Sequence, residues 1–224
     1  MHKTIVTIDG PAGVGKTTLA QAVAQELDIP YLDSGAMFRA LAHRLGPNSP
    51  DWSEDKLQQS LQHLEFSLSR SRNQSLLLLN NQPLGQEIRS EEVGLVASSL
   101  GLKPCVRFHL KSQQQKLGSQ SSLVAEGRDM GSVVFPGADF KFFLQASSKE
   151  RAKRRWLQLQ ANGQEADLAR IEQDMLLRDS QDQQRALAPL EPAAEAIILD
   201  TTCLDQQQVL KAILDRFRAH DYET

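Results

Sequence analysis

Residues 4–27, TIVTIDGPAGVGKTTLAQAVAQEL, constrain the fold more than any other stretch of the chain. They begin as a β-branched apolar run and end as a helical pattern. Between the two, Gly10-Pro11-Ala12-Gly13-Val14-Gly15-Lys16-Thr17 fits GxxxxGK[ST] in full, with Thr18 following in the helical pattern. The motif has its meaning only between a strand and a helix, the context found here. Its glycines let successive backbone N–H groups converge, and the helix N-terminus adds partial positive charge, so the loop is suited to phosphate oxygens. Lys16 is placed to reach β- and γ-phosphates, and the Thr17 hydroxyl to coordinate Mg²⁺.

Four further runs fit the same sheet: residues 30–33 (PYLD), 123–127 (LVAEG), 140–144 (FKFFL) and 196–200 (AIILD). Most of the five runs are continuously apolar rather than alternating, as expected of parallel strands covered on both faces. The expectation is a doubly wound α/β core, a five-stranded parallel sheet with helices on both faces, made of about residues 1–33, 120–146 and 186–224. One insertion, about 34–119, holds helical patterns at 36–45, 54–64, 91–102 and 106–117 and a hairpin-like pair, 65–69 and 76–79, around Arg72-Asn73-Gln74. A second, about 147–185, is almost wholly helical; Ser147-Ser148-Lys149-Glu150 opens it as a capping box and Asn162-Gly163 closes its first helix. Thr202-Cys203-Leu204-Asp205 opens the C-terminal helix in the same way. Both insertions leave from strand ends, where loops of open α/β sheets build ligand sites.

Composition excludes several classes. With 25 Lys+Arg against 28 Asp+Glu, a general nucleic-acid binder is not expected. No apolar run approaches the ~18 residues of a membrane span, and the first one ends too soon for an export signal. The two cysteines and five histidines show no ligand or disulfide spacing. A cytoplasmic protein is expected. DxxG and NKxD, which a GTPase would need, are absent, whereas a small kinase would use the insertions as an acceptor lobe and a lid.

Three arginine groups bear on that reading, because phosphoryl transfer needs positioning and charge neutralisation, and Arg binds phosphate bidentately without losing its charge. Lys149, Arg151, Lys153, Arg154 and Arg155 form a basic run, with Arg151 and Arg155 at i,i+4. Arg178, Asp182 and Arg185 share one helical face; spacing alone leaves open whether they form a surface ion-pair stripe or hold ribose and phosphate. Glu126-Gly127-Arg128-Asp129-Met130-Gly131 places an adjacent Arg and Asp at a strand's C-terminal end, which suggests ligand contact.

With these segments in view, the chain resembles the bacterial cytidylate kinases. The resemblance is carried by TIDGPAGVGKTTLA (7–20), YLDSGAMFRA (31–40), GQEIRSEEV (85–93), the run from VAEGRDMGSVVFP to KERAKRR (124–155) and RDSQDQQRALAPLEPAAEAIILDTT (178–202). It implies a P-loop kinase with an inserted nucleoside-monophosphate lobe and a helical lid, ATP as donor, Mg²⁺, and CMP and dCMP as acceptors; a monomer is expected. Residues 10–18 would hold the ATP phosphates. Ser34 and Arg39 would lie in the CMP pocket, Arg39 on the acceptor phosphate together with Arg128. Asp129 would contact cytosine, and Ser98 and Arg107 match base-reading positions. Arg178, Asp182 and Arg185 would hold ribose and phosphate. The run from Arg151 would be the lid, with Lys16, Arg151 and Arg155 neutralising charge in flight.

The chemistry agrees. Cytosine presents an amino donor where uracil presents a carbonyl, so a carboxylate such as Asp129 favours the former. A nucleotide phosphate, with second pKa about 6, is largely ionised at neutral pH, so no general base is needed. The sequence departs from the family pattern at Thr17, where Gly or Ser is frequent, at Phe38, which removes a frequent Tyr hydroxyl, and at Gln145, often acidic. Two other readings stay open: a kinase with another acceptor such as UMP, and a non-catalytic nucleotide-binding regulator.

Overall fold

A computed structural model describes residues 3–71 and 74–221 of the chain. Its core is a five-stranded sheet built from β1 (Ile5–Asp9), β2 (Tyr31–Asp33), β6 (Leu123–Gly127), β7 (Phe140–Gln145) and β8 (Ile197–Asp200) in the order β2-β6-β1-β7-β8. Every pairing in it is parallel, with Asp9 level with both Gly127 and Phe143. These are the five expected strands, within a residue or so at each end.

Why the strands read as continuous apolar runs is visible in what covers them. Val6, Ile8, Val124, Phe142 and Leu144 are buried on one face beneath α1 (Lys16–Glu26) and α8 (Gln206–Asp221), which contribute Leu19, Val23, Val209 and Ile213. Leu32, Leu123 and Ala125 are buried on the other face. There they join Met37 and Leu41 of α2 (Ser34–Leu45), Leu57 of α3 (Glu54–Leu61), Leu100 of α4 (Glu91–Leu100) and Leu110 of α5 (Pro104–Gln120). The first insertion therefore shares one continuous core with the sheet.

Local signals explain most element boundaries. The Asp33 side chain accepts from Ala36 N (2.8 Å), which starts α2 two residues before the expected point. Ser53, Ser90 and Ser147 cap α3, α4 and α6 (Ser148–Ala161), each accepting from the N–H three residues on. Thr202 does not cap the last helix as expected. Its hydroxyl bonds Asp200 and its neighbour Asp205 performs the capping, accepting from Gln208 N at 2.8 Å. α6 ends at Asn162, and Gly163 follows with φ +71°, a backbone conformation glycine adopts freely. α7 (Leu168–Gln184) then packs against α6.

The hairpin is present as β3 (Phe66–Ser71) and β4 (Gln74–Leu79), with Phe66 opposite Leu79; Arg72 and Asn73, at its expected tip, lie outside the described residues. A third strand, β5 (Gln82–Pro83), pairs with β4 and was not expected. Asn80 and Asn81 both have φ above zero (50° and 63°), the two-residue turn Asn favours, and that pair was the available signal.

Candidate active site

The phosphate loop is shaped by three glycines with positive φ: Gly10 (147°), Gly13 (76°) and Gly15 (96°). A Cβ on Gly10 would strike the Leu144 carbonyl oxygen, so the loop leaves β1 pressed against β7. A Cβ on Gly13 would meet Met175 Cε at 2.9 Å and Arg151 Cβ at 3.3 Å, so α6 and α7 lie directly on the loop. Gly15 caps α1 without a side chain, which leaves the first helical N–H groups to an anion.

Lys16 is only 8% exposed, and its Nζ donates to Pro11 O at 2.7 Å. Burial first, then the positive charge of Arg128, lowers its pKa to about 7, with Arg178 acting the same way and Glu126 and Asp9 opposing. Beside it, the buried Glu126 carboxylate accepts from the Tyr31 hydroxyl. Desolvation and the charge of Asp33 raise the Glu126 pKa, while Lys16 and the Tyr31 and Thr17 hydroxyls pull it back down. Thr17 and Thr18 are exposed on the first turn of α1, and Pro11, Ala12 and Val14 complete the loop.

Across the cleft, Arg39 pairs with Asp33 (3.2 Å), and its buried Nε has no hydrogen-bond partner among the described residues. Ser34 is buried against Gly127, whose Cβ, if it had one, would sit 2.6 Å from the Ser34 hydroxyl. Arg178 is exposed, yet desolvation and then the charges of Arg128 and Arg39 lower its pKa. Lys16, Arg39, Arg128 and Arg178 therefore form one cationic group reaching from the phosphate loop to the far wall.

The residues after β6 carry the rest. Arg128 Nε bonds Asp182 Oδ2 at 2.9 Å, and Arg185 lies 3.5 Å from the other Asp182 oxygen. Asp129, buried, is paired with Arg107 and stands 4.0 Å from Arg185. Desolvation and then the charge of Arg107 lower the Arg185 pKa. Arg107 also donates to Gly101 O (3.2 Å) and lies over the Phe38 ring, 5.7 Å from its centroid. At Phe38 the ring thus faces a guanidinium, a contact that needs no hydroxyl. Ser98 is exposed on α4, one turn before Gly101.

The structure thus gathers the expected residues of the loop, α2, α5, α7 and the β6 end at the C-terminal edge of the sheet. From the second insertion it brings a different pair of arginines to the loop than expected. Arg151, 4% exposed, donates to Ala12 O (3.0 Å) and to Asp179 (2.5 Å). Arg154 reaches Val14 O (3.4 Å) and Thr201 O (2.6 Å). Arg155 is exposed, donates to Gln158, and is not brought to the loop. Residues i+3 and i+4 flank residue i on a helix surface, and only the docking of α6 decides which one meets the loop. Gln145 is exposed at the end of β7, its carbonyl accepting from Thr201 N. Sequence reasoning missed Tyr31, Asp179 and Asp9; for Asp9 the signal was a carboxylate ending an apolar strand directly before Gly10.

Comparison with known proteins agrees with this geometry. A protein named "Cytidylate kinase" from Nitratidesulfovibrio vulgaris is 52% identical over 217 residues, covering 97% of this chain and 94% of that protein. One of the same name from Oleidesulfovibrio alaskensis is 51% identical over 214 residues, covering 96% and 98%. Among solved structures, an uncharacterized protein from Eubacterium ventriosum covers 97% of this chain with a TM-score of 0.53 and 11% identity, a likeness of fold alone. The family model described as "Cytidylate kinase" matches residues 6–219, from the second residue of β1 to two residues short of the end of α8, and so takes in all the site residues named above. Matched across almost its full length by the family model and by relatives about half identical to it, this chain belongs to the cytidylate kinase family.

Proposed function

We propose that the enzyme transfers the γ-phosphoryl group of ATP to CMP and dCMP, giving ADP with CDP or dCDP. The observation that carries this reading is the shared cationic group: Arg128 and Arg178 add to the burial that lowers the Lys16 pKa, and Arg128 and Arg39 to the burial that lowers that of Arg178. Asp33, Asp182, Glu126 and Asp9 offset part of that positive charge, and a donor and an acceptor phosphate would neutralise the rest.

Residues 10–18 hold the donor phosphates, with Lys16 following charge onto the transferring group. Arg39 and Arg128 fix the acceptor phosphate, and Arg178, Asp182 and Arg185 the ribose and phosphate. Asp129 accepts from the cytosine amino group, with Arg107 beside it and Ser98 at the pocket's outer edge. Arg151 neutralises charge from the lid; Arg155 does so only on a lid position other than the one described. Closure of α6 and α7 excludes water and limits wasteful hydrolysis.

Mg²⁺ fits this donor set. Among the described residues no cluster of three or more His, Cys, Asp or Glu would cage a metal. Mg²⁺ on a nucleotide needs few protein ligands and prefers hard oxygens, which the Thr17 hydroxyl provides next to Glu126. When bound, the ion neutralises charge on the donor phosphates. No described helix is long and apolar enough to cross a membrane, and the reading places the enzyme in the cytoplasm as a monomer.

Phosphorus NMR of the protein with MgATP and CMP tests the proposal. Equal amounts of ADP and CDP are expected, formed only when both substrates are present. A folded, ATP-binding protein that forms no CDP would overturn it in favour of a regulator.

A further inference from the structure

Asp9 joins the two halves of the cleft. It is the last residue of β1 and directly precedes Gly10, so its backbone begins the phosphate loop. Its side chain points elsewhere. Oδ1 accepts from Met130 N at 2.9 Å and Oδ2 from Gly131 N at 2.8 Å. Those two N–H groups open a wide helical turn, Met130–Val134, whose own bonds run from Val133 N and Val134 N back to Asp129 O (2.9 and 3.1 Å). Two of the turn's free N–H groups are thus satisfied by one carboxylate, one oxygen each. Gly131 permits the approach: a Cβ there would meet Thr7 Oγ1 at 2.8 Å and Ala193 Cβ at 3.3 Å. Arg128 and Asp129 are the two residues immediately before this turn.

We propose that Asp9 is a positioning residue, a two-oxygen clasp that fixes the backbone at Met130 and Gly131 and thereby sets the Asp129 carboxylate against the acceptor base. The proposal rests on the reading of Asp129 as the residue that meets the cytosine amino group. An acidic side chain only 4% exposed is a costly way to fill space, since an apolar residue would carry no desolvation penalty. What the carboxylate provides that an apolar residue cannot is two acceptors at a fixed separation. The charged groups facing it are Asp129 from the turn and Lys16 from α1. Desolvation raises its pKa to about 6, opposed by the two amide bonds, so it remains ionised and doubly accepting at neutral pH.

Asp9→Asn tests this with little change of shape. The amide offers one acceptor and one donor group to two N–H groups, so one bond of the clasp is lost. The expected result is a rise of about tenfold in KM for CMP and a fall of about tenfold in the CMP-over-UMP ratio of kcat/KM, with KM for ATP within about threefold of wild type. Equal rises in both KM values with an unchanged base ratio would overturn the proposal, as would no change at all. If the variant does not fold, the wild-type amides decide. The Met130 and Gly131 amide protons should shift together, with a midpoint about 6, as the carboxyl titrates in nitrogen–proton NMR spectra; amides that ignore pH between about 5 and 8 would overturn the clasp. A wild-type enzyme without preference for CMP would sink the reading of Asp129 alone, because the amide titration and the KM split would still report on the clasp.

Discussion

Among single side chains, Lys16 carries the heaviest demand. Its burial and its like-charged neighbours oppose protonation, and Glu126 and Asp9 oppose them in turn. On the proposed reading this cation follows the transferring group, and replacing it by Ala removes that charge while deleting little of the core. We expect Lys16→Ala to lower kcat by about a thousandfold or more with unchanged circular dichroism. A variant retaining a tenth of normal turnover would remove Lys16 from its role. The Phe38 ring shows the same economy on the acceptor side, where it supports Arg107 through its face rather than through a hydroxyl.

Strands, helices and turns set where these side chains stand, and the glycines test that most sharply. Gly10 and Gly15 both have positive φ, but a Cβ on Gly10 would strike the Leu144 carbonyl, whereas one on Gly15 would meet nothing within 4 Å. Gly10→Ala should therefore cost about 3 kcal/mol or more in urea unfolding, and Gly15→Ala only about 1 kcal/mol. Equal costs would contradict the packing of the loop against β7. All five core strands and the phosphate loop were legible in sequence because two-sided burial and a rigid loop leave strong local patterns. β5 was not, since two residues held by one Asn-Asn turn give no periodicity. The clasp at Met130–Val134 was not either: a turn held by a carboxylate 121 residues earlier has no local signature. Nor was the exchange of Arg155 for Arg154 at the loop, because helix periodicity places both beside Arg151 and leaves docking to tertiary packing.

For the molecule as a whole, the sheet, the first insertion and the helices of the second insertion meet through buried or half-buried charge. The Arg151–Asp179 and Arg128–Asp182 pairs tie α7 to α6 and to the end of β6. Buried charge also makes stability depend on pH. Asp9 titrates near 3.8 in an unfolded chain and at about 6 in the native protein. Between those values the native state binds more protons, so this group's contribution falls as pH rises, by about 3 kcal/mol over the window, and is constant above it. The difference in unfolding free energy between wild type and Asp9→Asn, in which other carboxylates cancel, should fall by that amount between about pH 3 and about pH 7. A difference independent of pH would contradict the burial of this charge.

The central claim is that one cleft performs phosphoryl transfer and reads cytosine through Asp129. Steady-state kcat/KM for CMP and for UMP, in the wild type and in Asp129→Asn, tests both parts together. A site that hydrogen-bonds its substrate discriminates strongly, so the wild type should favour CMP by about a hundredfold or more. The Asn amide can face either an amino group or a carbonyl, and should bring the two acceptors within about tenfold of each other. A wild-type preference for UMP, or an Asn variant that keeps the full preference for CMP, would contradict the account.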